Sequence, residues 1–266
     1  MSNIFNTLVA AAAAVSFASD ANAEPVRNIV LVHGAIADGS GWRGVYDELT
    51  RRGYAVSIVQ NPLTSFADDV AATRRVLNRQ DGPVILVGHS YGGSVITEAG
   101  TDPKVAGLVY VAAFAPEVGQ STLDQYREIP PPPNFVPEEQ PDGFAYLNAD
   151  RFHAGFAGDT DAADAQFLRD AQVPIAMAAL AAPVTVAAWK TKPSWYVVAT
   201  EDGAIAPDLM HSTARRIGAK ATEVPGSHVV FLTQPKAVAD VIEAAAKSSA
   251  AGAQEADVEA AQAPSE

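Results

Sequence analysis

The chain has 266 residues, a formal net charge of −13 and no cysteine. The missing cysteine excludes disulfides, thiolate metal sites and a thiol nucleophile. The acidic balance argues against a nucleic-acid partner, because phosphate binding needs clustered Lys and Arg.

Leu8 to Ala18 is an apolar run too short to span a bilayer. Ala21-Asn22-Ala23 behind it fits the small-x-small pattern of a secretory signal peptide cut before Glu24, although Met1 to Thr7 holds no Lys or Arg. Residues 1–23 are therefore expected to direct export to a periplasm or the medium, and no later stretch is apolar for long enough to anchor the product in a membrane. The chain runs apolar between Asn28 and His33, as a strand buried on both faces of a parallel sheet must. Trp42 to Arg52 reads as a helix stopped by Gly53, and Tyr54 to Gln60 as the next strand. Phe66 to Asn78 has helical spacing, with Asp68, Asp69, Arg74 and Arg75 assigned to its polar side. Pro83 to Gly88 is another buried strand, a helix opens at Ser90 and ends near Gly100, and Val105 to Phe114 gives a further strand. Such alternation calls for a mostly parallel sheet with helices on both faces.

The rhythm breaks between Pro116 and about Lys192. Pro130 to Pro133 is a stiff extended connector, and helical stretches follow over Ala162–Asp170 and Val173–Ala182. This segment is read as a helical cap inserted over one edge of the sheet. A strand over Pro193–Thr200, a helix over Pro207–Ile217, a strand over Ala221–Val224 and a helix over Ala237–Lys247 complete one domain spanning 24–247. Ser248 to Glu266 has no aromatic residue and is expected to be a disordered tail.

The strongest motif is Gly88-His89-Ser90-Tyr91-Gly92, a G-x-S-x-G placed after a buried strand and before a helix. That turn lifts a serine hydroxyl clear of the sheet and forces its backbone into strain, which makes Ser90 the candidate nucleophile. A serine needs a base, and the chain offers five histidines. His89 lies inside the turn and is expected to pack behind it; His33 is expected to be structural. His153 falls in the cap and His211 in a helix. His228, in the loop before the last helix, stands where the order serine, acid, histidine places the base. The acid that orients it should follow a strand. Asp202 does so, with Glu201 as competitor, and Gly203 favours Asp202 because it lets the chain turn there. Asp208 belongs instead to the first turn of the next helix. The transition-state oxyanion needs two N–H donors, expected from the backbone amides of Tyr91 and of Ala35, which follows Gly34 in the loop after the first strand.

At these residues the chain resembles a branch of the α/β-hydrolase superfamily that includes plant methyl-ester esterases, hydroxynitrile lyases and small bacterial esterases. The likeness covers Asn28 to Lys247 and rests on Leu31-Val-His-Gly-Ala35, Val84-Ile-Leu-Val-Gly-His-Ser90, Val111-Ala-Ala-Phe-Ala-Pro116, Ala199-Thr-Glu-Asp202 and Gly226-Ser-His228. The resemblance implies the α/β-hydrolase fold and a cofactor-free enzyme that cleaves small carboxylic esters through an acyl-serine. It implies Ser90, Asp202 and His228 as the triad, with Ala35 and Tyr91 at the oxyanion. The lyases of the branch carry Thr where Gly34 stands and Lys where Val229 stands, so a cyanohydrin lyase is excluded; Ser90 excludes the aspartate nucleophile of dehalogenases. Tyr91 replaces the commoner Leu or Met, and would narrow or polarise the acyl side of the pocket. Phe135, Phe144, Phe152, Phe156 and Phe167 suggest an apolar pocket under the cap. Two other readings use the same residues: a cofactor-free perhydrolase or haloperoxidase, and a receptor-like binding protein with little turnover.

Overall fold

The computed structural model describes residues 26–262, with side-chain environments as far as Ser249. The signal-peptide segment lies outside the described residues. Strand and helix alternate through β1 (Asn28–Val32), α1 (Arg43–Arg51), β2 (Ala55–Val59), α2 (Phe66–Asn78), β3 (Val84–Ser90), α3 (Gly92–Ala99) and β4 (Val105–Ala113). The insertion holds β5 (Pro137–Glu139), β6 (Phe144–Leu147), α4 (Phe152–Phe156), α5 (Ala162–Asp170), β7 (Ile175–Ala176) and α6 (Met177–Ala181). The alternation resumes with β8 (Ser194–Ala199), α7 (Pro207–Arg216), β9 (Lys220–Val224), α8 (Val230–Thr233) and α9 (Pro235–Gln262).

The main sheet has six strands in the order β2-β1-β3-β4-β8-β9, and every neighbouring pair is parallel. Right-handed crossovers follow from strand twist, so stepping outward from β1 to β2 puts α1 on one face. Stepping back past β1 to β3 and onward puts α2, α3 and α7 on the other. The packing agrees: α1 lies on α9, and α2 on α3. β1, β3 and β8 are buried along their whole length, which explains their unbroken apolar runs. The chain reverses its direction of travel between β1 and β3, and the carboxyl ends of two such strands open the crevice where sheets of this type place their ligands.

The cap differs from its sequence reading in three ways. It is not purely helical, because β5, β6 and β7 form a three-stranded antiparallel sheet. The helix expected over Val173–Ala182 is instead β7 followed by the short α6. There Phe144 pairs with Ala176, and the Ala176 N–H reaches Leu63 O at 2.9 Å. Those tertiary bonds satisfy the backbone and override an Ala-rich helical pattern. The cap also sits over the carboxyl ends of the central strands rather than over an edge, since its residues close a cavity above Ser90. Its two ends meet at a stem: the Gly119 N–H donates to Val184 O and the Val184 N–H to Gln120 O, both at 2.9 Å. The buried Glu98 carboxylate on α3 clamps that stem by accepting from the Thr185 and Val186 amides and the Thr185 hydroxyl.

Two further differences concern helices. α9 runs past Lys247 to Gln262, so residues 248–262 of the expected disordered tail continue the helix, in keeping with the high helix propensity of Ala, Glu and Gln, while 263–266 lie outside the described residues. On α2, Asp69 is not on the polar face but wholly buried.

Candidate active site

Ser90 closes β3 with φ of +52°, a left-handed conformation costing about 1–3 kcal/mol outside glycine. Glycines let the chain pack tightly enough to hold it there. A Cβ at Gly88 would stand 2.5 Å from Gly92 O, and one at Gly92 would stand 2.7 Å from the carbonyl oxygens of Val32 and His33. The start of α3 is thus wedged against the end of β1, and the serine hydroxyl is pushed out above the sheet.

The structure brings Ser90, His228 and Asp202 into one hydrogen-bonded chain. Ser90 Oγ lies 2.9 Å from His228 Nε2, and His228 Nδ1 lies 2.7 Å from Asp202 Oδ2. All three are buried. Asp202 follows β8, and the Ala204 and Ile205 amides donate to its Oδ1 at 2.7 and 2.8 Å, leaving Oδ2 for the imidazole. With a carboxylate accepting at Nδ1–H, His228 presents Nε2 as acceptor to the serine hydroxyl. Glu201, the competitor, is exposed and is tied by its amide to Gly226 O; Asp208 sits exposed in the first turn of α7. His89 packs behind the turn as expected and also donates from Nε2 to His228 O at 2.9 Å. Burial, reinforced by the nearby His228, holds its pKa well below the usual histidine value, so it donates as a neutral ring. His153 is exposed and His211 pairs with Glu223 on the surface, both away from Ser90.

Ala35 and Tyr91 both stand at the cavity beside Ser90, and neither amide donates to another group among the described residues. Each peptide is fixed through its carbonyl side. His33 Nδ1–H donates to Gly34 O at 2.8 Å, and the Phe114 amide donates to Ser90 O at 3.1 Å. A trans peptide points its N–H opposite its C=O, so pinning those two carbonyls sets the directions of the Ala35 and Tyr91 N–H groups. The His33 tautomer is set in turn by the Asn61 amide, which donates to Nε2 at 2.9 Å, and burial keeps the ring neutral by lowering its pKa. Asn61 and Phe114 escaped the sequence reading; the signal available for His33 was its place immediately before Gly34.

Above Ser90 is a cavity of about 260 Å³. Its cap wall includes Tyr126, Phe135, Leu147, Ile175, Met177 and Leu180. No charged residue lines it, and its hydroxyls apart from Ser90 are engaged: Tyr91 with Asp69, Tyr126 with Ala204 O, Thr122 with Ser94. Tyr91 lines the cavity, and its hydroxyl is held by Asp69 rather than free to polarise that space. Of the five cap phenylalanines, Phe135 lines this cavity and Phe144 packs partly buried against the core. The Phe156 ring packs at a tilt against His228, 5.0 Å between centroids, with Phe152 beside it, while Phe167 is 69% exposed. Among the described residues no group of three or more His, Asp or Glu is placed to hold a metal ion.

A model of the alpha/beta hydrolase family matches residues 29–241. The chain belongs to the alpha/beta hydrolase family. This alpha/beta hydrolase is 26% identical over 242 residues to alpha/beta hydrolase nvfD of Aspergillus novofumigatus (strain IBT 16806), covering 82% of this chain and 96% of that protein. It is 37% identical over 119 residues to the carbendazim hydrolyzing esterase of Nocardioides sp. (strain SG-4G), a match covering 40% of this chain and 49% of the esterase. Among solved structures, an extracellular alpha/beta-hydrolase from a Paenibacillus species superposes with a TM-score of 0.70 at 22% identity, over 82% of this chain and 98% of that one. Polyneuridine aldehyde esterase gives a TM-score of 0.70 at 20% identity, over 81% and 97%.

Proposed function

We propose that the protein is a serine carboxylic ester hydrolase acting on small to medium uncharged esters with an apolar acyl part. The observation that carries this reading is the hydrogen-bonded chain Ser90–His228–Asp202 opening onto an uncharged cavity of about 260 Å³. His228 Nε2 takes the Ser90 proton as Oγ attacks the carbonyl carbon, and the negative oxygen that forms is received by the Ala35 and Tyr91 amides. The bond to the alcohol oxygen then breaks, and His228 returns the proton to that leaving group. An acyl-serine remains. A water molecule, deprotonated by the same imidazole, attacks the acyl carbon and releases the acid and the free Ser90 hydroxyl. Asp202 holds the imidazole tautomer throughout and stabilises its cation. The esterase relatives support the ester as substrate. The extracellular relative supports the export proposed from residues 1–23.

A fluorophosphonate probe beside a Ser90→Ala control tests the reading, with the adduct mapped by mass spectrometry and p-nitrophenyl acetate and butyrate turnover measured on the same samples. A single adduct on Ser90, with turnover abolished in the control, is the expected result. Folded protein that neither labels nor turns over either ester would overturn it.

A further inference from the structure

Four non-glycine residues among those described have positive φ: Ile36 (+68°), Leu63 (+58°), Ser90 (+52°) and Ala112 (+43°). Three of them are at the site by sequence. Ile36 follows Ala35, Ser90 is the proposed nucleophile, and Ala112 precedes Ala113, which pairs with Ser90. Leu63 lies far off in sequence, in the loop between β2 and α2. Strain of this kind persists only where the surroundings over-determine it, and the surroundings of Leu63 lead back to the site. Its N–H donates to Asp69 Oδ1 at 2.8 Å, and its carbonyl accepts the Ala176 N–H of the cap at 2.9 Å. The other Asp69 oxygen accepts the Tyr91 hydroxyl at 2.7 Å. Tyr91 is the residue whose amide faces the forming oxyanion.

Asp69 is fully buried and pairs with no Lys, Arg or His among the described residues. A carboxylate placed so is expensive to fold around unless its few hydrogen bonds are well made. It can only accept, and its two oxygens are taken by donors from two different parts of the chain. We propose that Asp69 is a positioning residue. It holds Tyr91 by the phenol so that the Tyr91 amide stays aimed at the oxyanion, and it ties that amide through Leu63 to the cavity wall at Ala176. The neighbours of Ala176 on either side, Ile175 and Met177, line the cavity, so what fills the cavity and what stabilises the transition state are mechanically joined. This inference rests on Ser90 being the nucleophile.

The test compares wild type, Tyr91→Phe, Asp69→Asn and the double variant, by kcat and KM on p-nitrophenyl butyrate and by the rate and end point of fluorophosphonate labelling. Tyr91→Phe keeps the ring, so it also serves if Asp69→Asn folds poorly. Removing an oxyanion donor costs about 10²–10³ in kcat, and mis-aiming one should cost about tenfold. Each single variant is expected to lose about tenfold in kcat, with KM within about twofold and labelling still reaching one adduct per chain, only more slowly. The double variant should lose no more than the worse single one, because both break one linkage. Three results overturn the proposal: single variants that keep kcat within about twofold, losses in the two singles that multiply in the double, or a fall in kcat matched by a fall in the labelling end point. The last would mark a merely structural role. Wild type that never labels at Ser90 would sink the nucleophile reading and this inference together; active wild type beside fully active variants sinks this inference alone.

Discussion

On the sheet side of the cavity, position is set by backbone against backbone: Gly88 on Gly92, Gly92 on the carbonyls of Val32 and His33, Ser90 O on the Phe114 amide. On the cap side, Leu147, Ile175, Met177 and Leu180 present side chains to the same space and contribute no free polar group. The sheet side cannot shift by an ångström without a clash, whereas a methylene can be gained or lost on the cap side at modest cost. Chemistry and selectivity are thus assigned to materials of different tolerance, joined at a few bonds such as Ala176 N–H to Leu63 O.

The largest way to probe that division is Asp202→Asn, which keeps the shape of the sheet side and corrupts its proton logic. With an amide at Nδ1 the His228 tautomer reverses, and kcat on p-nitrophenyl butyrate should fall by about 10⁴ with little change in unfolding midpoint. A loss under about tenfold would mean that the carboxylate is not the orienting acid. On the cap side, Leu180→Ala should leave p-nitrophenyl acetate turnover within about twofold while raising the preference for longer acyl chains by about tenfold, the scale on which pockets sort methylenes. Equal effects on both esters would erase the distinction between the two sides.

The smallest expected effect is a pH dependence of stability from the ring behind the elbow. The His89 pKa is lowered on folding, so between that value and about 6.5 the unfolded chain binds more protons than the folded one. Stability is then complete above about 6.5 and is lost as pH falls through this window; His33 acts in the same direction. Asp69, raised by burial, has the opposite sign, in a window that opens upward from the ordinary carboxylate value of 3.8. Urea midpoints should fall between pH 7.5 and 5.5, and His89→Gln should flatten that fall. An unchanged slope would show that His89 is not the group responsible.

Much of the sheet was legible because strands buried on both faces of a parallel sheet carry long apolar runs, such as Ile29–Val32 in β1, Val84–Val87 in β3 and Val109–Ala113 in β4. The approach of Ser90, Asp202 and His228 was legible because their order and their places after strands follow from that sheet. Asp69 was not. One carboxylate next to Asp68 on an amphipathic helix reads as solvent-facing, and only the folded chain brings it the Leu63 N–H and the Tyr91 hydroxyl that give it a reason to be inside. The cap strands were hidden for a related reason. β5 and β7 are three and two residues long, too short for an alternating period to show, and β7 pairs with β6 across the whole of α4 and α5. The run of α9 to Gln262 was hidden the other way, because a low aromatic content marks poor packing but leaves Ala, Glu and Gln free to favour a helix.

The stem where Gly119, Gln120 and Val184 cross gives the cap adjacent ends, clamped by Glu98 from beneath. A segment that leaves and re-enters a domain at one point can change length at little entropic cost, since loop closure grows only logarithmically. Lineages could therefore exchange this stretch as a cassette, retuning diet without rebuilding the engine, provided each newcomer can still greet Leu63.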